Sequence, residues 1–167
     1  MIRPNITDTI IATGYNCFVE VQEGETSQPE IIAMVTSFQA SEEFQVQEAV
    51  CIGNLGPISI DPQGYNCSIT IDSYLPSKRV LGKDSISDTY GGGSKAIQDF
   101  APTRDSFMSG NGIPQKIHKL RFKNRREDNT ALATFEGVIV TSNGVTGEGN
   151  AYVRNNVQMR ALSWNKD

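Results

Sequence analysis

Apolar and polar positions alternate most regularly between residues 65 and 73 of the chain. Four apolar side chains, Tyr65, Cys67, Ile69 and Ile71, alternate there with four polar ones, which are Asn66, Ser68, Thr70 and Asp72. A period of two places successive side chains on opposite faces of a β-strand. The pattern therefore predicts a strand with one buried face and one solvated face.

Weaker alternation predicts further strands on both sides of this segment, at residues 15–22, 30–39, 117–122, 131–141 and 151–164. Residues 30–39 are apolar on both faces at their start. We therefore expect this strand to be central in the sheet or to be covered on both faces. Residues 41–52 fit either a strand or a short helix capped by Ser41. Their β-branched residues favour the strand.

Turn-forming residues separate the predicted strands. A run of glycine and proline from Gly53 to Gly64 predicts a tight corner in front of the strand at 65–73. Residues 142–150 contain Asn143-Gly144 and other small residues, which predicts a turn between the last two long strands. Residues 1–13 have no clear period and are interpreted as an N-terminal arm.

The segment 76–115 differs from the rest in being rich in Gly, Ser, Pro and Asp. It predicts a long loop with one short helix at about 95–100, capped by Ser94 and ended by Pro102. Loops of this length in compact domains are usually functional or ordered by a partner.

Seven to eight strands and one helix within 167 residues predict a single all-β domain spanning residues 1–167. We expect a β-sandwich or barrel of about seven to eight strands, with one short flanking helix and long loops. The N-terminus has no long apolar run, so neither a signal peptide nor a membrane-spanning helix is expected. Three cysteines suit reduced thiols better than a disulfide framework.

Candidate chemistry is sparse in the sequence. The single histidine, His118, lies in an alternating strand, and no pair of cysteines has zinc-site spacing. GGGSK at 91–95 lacks the residue order of a phosphate-binding loop, and the acidic pairs lie beside turns. We therefore expect no catalytic, cofactor or metal site, and a chain that is not an enzyme.

A basic stretch is the sharpest charge feature. It comprises Lys119, Arg121, Lys123, Arg125 and Arg126, and the first three share one face of the predicted strand. A solvent-facing strand, a contact with an acidic protein surface and a contact with phosphates all fit this pattern. The net charge of −4 and the pI of about 5.0 weigh against nucleic acid, so a neighbouring copy of the chain is the favoured partner.

The layout of the strands resembles phage tail tube proteins and the inner tube subunits of contractile injection and type VI secretion systems. The resemblance is carried by GYNCFVEV, by PEIIAMVTSFQASEEFQVQEAVCIGN, by GPISIDPQGYNCSITIDSYL and by TFEGVIVTSNGVTGEGNAYVRNNVQMRAL. It covers most of the chain, as a pattern of strands and lengths rather than a fingerprint motif. The long middle segment departs from the most compact members.

This resemblance implies a structural virion protein located in the tail and assembled in the host cytoplasm. Six copies would close a ring, and rings would stack into a hollow tube through which DNA or an effector passes without specific binding. Sheath, tape-measure and baseplate or terminator proteins are the implied partners. Residues 41–52 and 65–73 would border the channel, with Asn66, Ser68, Thr70 and Asp72 facing the lumen. Contact between subunits is expected at Lys119, Arg121, Lys123, Arg125 and Arg126.

Two other interpretations stay open at this stage. The first is another β-sandwich virion protein, such as a head decoration or head–tail connector subunit. The second is a carbohydrate-binding β-sandwich or a glycan-active enzyme, which needs exposed aromatic residues beside carboxylates. Trp164 is the single tryptophan, and the five tyrosines show no clustering along the sequence.

Overall fold

The computed structural model describes residues 17–32, 34–75, 96–109, 116–124 and 130–166. They form eight antiparallel strands: β1 (Cys17–Gln22), β2 (Glu30–Ile31), β3 (Val35–Ala49), β4 (Ser59–Tyr74), β5 (Lys116–Asn124), β6 (Thr130–Thr146), β7 (Arg154–Ala161) and β8 (Ser163–Asn165). A 3-10 helix at Ile97–Phe100 and a short helix α1 (Arg104–Met108) lie between β4 and β5. The expected all-β fold with a short helix is confirmed. The predicted arm at 1–13 and most of the loop at 76–115 lie outside the described residues.

All eight strands belong to one sheet. Its order is β2-β1-β5-β6-β7-β4-β3, and β8 pairs with the first half of β6. The partner of β6 on that side changes from β8, paired at Thr134 to Glu136, to β7, paired at Ile139 to Thr146. The long strand β6 is therefore shared by both halves of the sheet.

The two end strands of the sheet are neighbours in the sequence. Ile32 continues the β2 edge by donating its backbone N–H to Val19 O at 2.9 Å, and β3 begins at Val35. Met34 lies between them with a φ of 56°, in the left-handed region that non-glycine residues rarely adopt. The predicted strand at 30–39 is thus broken by a sharp corner. Its two pieces are end strands of the sheet, so the expectation of a central strand was wrong.

The corner brings the two ends of the sheet together around one core. The fully buried side chains come from strands in both halves and from the 3-10 helix; they include Val19, Ile69, Ile71, Phe100, Ile117, Leu120, Phe135, Val138 and Val157. On β4, Cys67, Ile69, Ile71 and Ser73 are buried while the residues between them are half-buried. The predicted alternation is therefore confirmed from Cys67 to Ser73, whereas Tyr65, which was expected on the buried face, is 41% exposed.

Two predicted turns are strands instead. Asn143 and Gly144 lie within β6 and pair with Val157 and Asn156 of β7. The buried side-chain amide of Asn155 donates to Asn143 Oδ1 at 2.7 Å and to Gly144 O at 2.8 Å, which holds this segment extended. The turn at 142–150 is wrong in its first half, because β6 ends only at Thr146.

The predicted corner from Gly53 to Gly64 is mostly the tip and second strand of a long hairpin. β4 begins at Ser59 and continues through Pro62 and Gly64, with a bulge opposite Gln45 and Val46. Proline is tolerated there because residues 59–66 of β4 pair with β3 alone. Gly53, with a φ of 94°, supplies the left-handed conformation at the tip.

Candidate assembly surfaces

The described residues present two surfaces with an evident functional character. One is the solvent-facing side of β3, β4 and β7, which we call the polar face. The register places Ser41 beside Ser68 and Arg160, and Gln39 beside Thr70 and Gln158. The full set is Ser37, Gln39, Ser41, Glu43, Asn66, Ser68, Thr70, Asp72, Tyr74, Arg154, Asn156, Gln158 and Arg160. The four residues predicted to face a lumen lie at the centre of this face.

Hydrogen bonds between strands order the polar face. The hydroxyl oxygens of Ser41 and Ser68 are 3.0 Å apart, and Asn156 Nδ2 donates to Asp72 Oδ1. Most members are hydroxyl or amide side chains, and two acids, Glu43 and Asp72, are matched by two arginines, Arg154 and Arg160. The result is a hydrophilic surface of mixed charge with one aromatic member, Tyr74, which lies beside Arg154.

The second surface belongs to the outer half of the β3–β4 hairpin, residues 43–65, which we call the hairpin arm. All its residues from Glu43 to Ile58 are exposed. Within the described part of the chain, no third strand pairs with this half, because β7 pairs with β4 only from Cys67 onward. The arm therefore projects from the body as a two-stranded ribbon.

One face of the hairpin arm is apolar. Phe44 pairs with Tyr65, Val46 with Pro62, and Glu48 with Ile60, so these six side chains share one side of the ribbon. It is the side that continues the buried face of Phe38 and Ala40. The side chains on the apolar face of the arm are exposed, by 64% for Phe44, 52% for Val46 and 59% for Ile60. Towards the tip, Val50, Ile52, Leu55 and Ile58 are exposed as well.

A polar cluster holds the root of the hairpin arm. Tyr65 Oη donates to Glu42 Oε2 at 2.8 Å, and Lys166 Nζ pairs with Glu42 Oε1. The same ammonium lies 5.0 Å from the ring centroid of Trp164 and 6.0 Å from that of Phe44. A cation at these distances from an aromatic face is attracted to it. The C-terminal residues are thereby linked to the point where the arm leaves the body.

The basic stretch on β5 is largely paired within the chain. Glu20 accepts hydrogen bonds from Arg121 Nη1 at 3.0 Å and from Lys123 Nζ at 3.2 Å, while Lys119 Nζ lies 3.7 Å from Glu136 Oε1. These ion pairs reduce the charge that the stretch can offer to another molecule. Arg125 and Arg126 lie outside the described residues, and the contact role of the stretch stays a prediction.

Two tyrosines distant in sequence meet at the β6–β7 turn. The rings of Tyr74 and Tyr152 are 5.4 Å apart in an edge-to-face arrangement, and the guanidinium of Arg154 lies 5.9 Å from the centroid of Tyr74. The five tyrosines show no clustering along the sequence, but pairing of β4 with β7 at Tyr74 and Arg154 brings two of them together. Glu148 and Thr146 line the small hollow beside Tyr152.

His118 lies beside a cleft of about 420 Å³ that Glu23 and Glu136 also line. Among the described residues, no set of three or more His, Cys, Asp or Glu side chains is placed to hold a metal ion. Within the same residues, no helix has the length and apolar character needed to cross a membrane.

The sequence interpretation missed the apolar face of the hairpin arm as a feature. The signal was present, because Phe44, Val46, Ile58 and Ile60 alternate with polar residues on either side of the glycine-rich tip. Alternation indicates that a face is covered, but it does not say whether the cover comes from the same chain.

No family model matches the sequence, and no curated protein matches it. The fold, in contrast, is shared with solved structures over nearly the whole chain. A chain from the tail of an empty gene transfer agent particle, computed with C6 symmetry, is 12% identical, with 94% of this chain and 99% of that chain covered and a TM-score of 0.55.

Two further structures show the same similarity. The SPP1 tail tube is 12% identical, with 93% of this chain and 80% of that chain covered and a TM-score of 0.56. A chain from the extended sheath–tube complex of the extracellular contractile injection system PVC is 13% identical, with 96% and 93% covered and a TM-score of 0.57. The chain therefore has the fold found in these tail and injection assemblies.

Proposed function

We propose that this chain is a structural subunit of a hollow tail tube, in which copies close into rings and the rings stack. The observation that carries the proposal is the hairpin arm, whose apolar face extends the core face of the sheet beyond the body of the subunit. A surface of this kind needs another molecule to cover it. The fold supports a tube as well, because chains of the SPP1 tail tube and of the gene transfer agent tail have the same fold.

The polar face is the proposed wall of the channel. Asn66, Ser68, Thr70 and Asp72 run along its middle strand, and their hydroxyl and amide groups hold water well. Because Glu43 and Asp72 are offset by Arg154 and Arg160, the face lacks a strong field of either sign. Such a wall suits a charged cargo, DNA or an effector, that must slide through without specific binding.

The proposed subunit belongs to a virion tail or a related injection apparatus assembled in the host cytoplasm. Six copies per ring is the proposed number, supported by the C6 symmetry of the gene transfer agent tail. Sheath, tape-measure and baseplate or terminator proteins are the proposed partners. The similarity to chains of a sheath–tube complex and of a sheath/tube terminator supports this assignment.

The deciding experiment is negative-stain electron microscopy of the purified chain at rising concentration and in several salt conditions. We expect rings or hollow filaments with a continuous central channel. A chain that stays monomeric in all of these conditions contradicts the proposal. A decoration protein would bind preassembled capsids instead, and a glycan-binding module would remain monomeric and bind sugars.

A further inference from the structure

The hairpin arm lacks the covering layer that normally stabilises a sheet. Isolated two-stranded ribbons are marginal in water, and sheets become stable when a second layer covers their apolar face. Between residues 43 and 49, β3 extends about 20 Å at 3.3 Å per residue. Along this length Phe44, Val46 and Ile60 have no covering layer among the described residues.

The same chain carries a groove that matches the arm in character. It has a volume of about 580 Å³ and lies between α1 and the middle of β6. Phe107 and Met108 of α1 line one side, and their side chains are 61% and 69% exposed. The other side is formed by Ile139, Val140, Thr141, Ser142 and Asn143 of β6.

Charge distinguishes the two surfaces. Residues 41–65 contain Glu42, Glu43, Glu48 and Asp61 but no lysine or arginine. Two of the four acids, Glu42 and Glu48, are on the apolar side of the ribbon, and Glu42 is already paired with Lys166. Arg104 is the one charged residue among those that line the groove. Neither Glu48 nor Arg104 has an ion-pair partner within the described part of the chain.

We propose that the hairpin arm of one copy lies in the α1–β6 groove of a second copy, with Glu48 paired to Arg104 of that copy. This inference rests on the proposed function and names the surfaces through which copies join. The arm and the groove are different patches of one chain, so the contact is head-to-tail. Such contacts propagate from copy to copy into closed rings or stacked arrays.

A second copy fits better than the arm's own chain. The strands of the arm continue the hydrogen-bonded ladders of β3 and β4 without a break beyond the bulge at Gln45 and Val46. Folding back onto its own body would break that ladder. The root cluster of Glu42, Tyr65 and Lys166 further fixes the direction in which the arm leaves.

Photo-cross-linking on the full chain tests the contact. Val46 is replaced by p-benzoylphenylalanine, and Gln47, on the opposite side of the ribbon, is replaced in a matched control. Equal amounts of isotopically heavy and light chain are assembled, irradiated and digested for mass spectrometry. We expect the Val46 probe to link residues 104–108 or 139–143 in mixed heavy–light pairs, and the Gln47 probe to miss them.

Charge reversal provides the second measurement. Glu48→Arg and Arg104→Glu should each lower the yield of these cross-links about tenfold, and the double variant should restore it. Both positions are exposed, so folding is not at risk. The control Asp61→Arg reverses a charge on the other side of the arm and should leave the yield unchanged.

The outcomes separate the two proposals. Rings or tubes whose Val46 links map to another surface or within one chain overturn the docking inference and leave the tube function standing. A double variant that fails to recover the links overturns the Glu48–Arg104 pairing. A wild-type chain that never assembles overturns the proposed function, and the docking inference with it.

Discussion

The ring of Phe38 on β3 stacks on the ring of Phe122 on β5, with centroids 4.6 Å apart and planes 6° from parallel. These strands are far apart in the order of the sheet, which runs from β2 and β1 through β5 to β3 at the other end. Their contact shows that the sheet folds over until its last strand covers an early one. The first half of β3 therefore packs on the core, whereas its second half belongs to the hairpin arm.

This contact should be important for stability. Replacing a well-packed phenylalanine by alanine costs about 3–5 kcal/mol in a full core, and Phe38 is only partly buried. We expect Phe38→Ala to lower the free energy of unfolding by about 2–3 kcal/mol in chemical denaturation. The matched variant Phe44→Ala removes the same side chain from the exposed arm and should cost less than about 1 kcal/mol. Equal losses would contradict this division of β3.

Gly137 should tolerate no side chain. Its φ is 63°, and a Cβ built there would lie 2.5 Å from Leu162 Cδ1. It sits where β6 changes its partner from β8 to β7. We expect Gly137→Ala to lower the free energy of unfolding by about 1–3 kcal/mol, from strain and displacement of Leu162. Gly149→Ala, with nothing within 4 Å and an ordinary φ, is the control and should be nearly neutral.

Lys166 should restrain the arm more than it stabilises the fold. The lysine side chain of its ion pair with Glu42 is exposed to solvent. Lys166→Ala should therefore change the free energy of unfolding by no more than about 1 kcal/mol. The loss of its contacts with Phe44 and Trp164 should nevertheless speed hydrogen exchange at residues 43–49 and 59–65. Lys166→Arg should keep the slow exchange. Unchanged exchange in Lys166→Ala would show that the root cluster does not restrain the arm.

The cysteines should differ in reactivity and in their effect on stability with pH. Burial raises the pKa of the Cys67 thiol, whereas Cys51 is exposed near the tip of the arm. A thiol reagent should therefore modify Cys51 at once and Cys67 only on unfolding. Because the folded chain holds the Cys67 proton more tightly, the free energy of unfolding should fall as pH rises from about 8 to about 10. Cys67→Ala should flatten that slope, and an unaltered slope would contradict the assignment.

Assembly should hide the polar face from large reagents. In a Cys51→Ser background, Ser68→Cys or Thr70→Cys should react with small and bulky maleimides at similar rates in the free subunit. Under the proposed function, assembled tubes should still admit the small maleimide through their ends but should react much more slowly with the bulky one. Equal rates in the free and assembled states would place Ser68 and Thr70 away from the channel.

The local pattern of apolar and polar residues was sufficient to predict the strands that have one face on the core and one face in water. The alternation persists in β4 from Cys67 to Ser73. In β6, Ala133 and Phe135 are buried and then Val138 and Val140, so the alternation shifts by one residue at Gly137. The polar face could also be predicted from sequence, since Asn66, Ser68 and Thr70 differ so clearly from their apolar neighbours.

Features set by distant contacts could not be predicted in this way. The Asn143-Gly144 pair favours a turn locally, but the buried amide of Asn155 holds it in β6. The corner at Met34 follows no turn signal and arises because β2 and β3 have partners at opposite ends of the sheet. The partner of the basic stretch within the chain could not be predicted either, because Glu20 lies about a hundred residues away in sequence.

Pro62 protects the hairpin arm against strand addition while the subunit is not assembled. No strand among the described residues pairs with the outer edge of β4 at residues 59–66. Open edges of apolar ribbons invite strand addition and amyloid-like aggregation. Proline has no N–H to donate, and the bulge beside it twists the ribbon, so an incoming strand finds no continuous ladder. Strand addition along the β4 edge of the arm is thereby disfavoured before copies assemble.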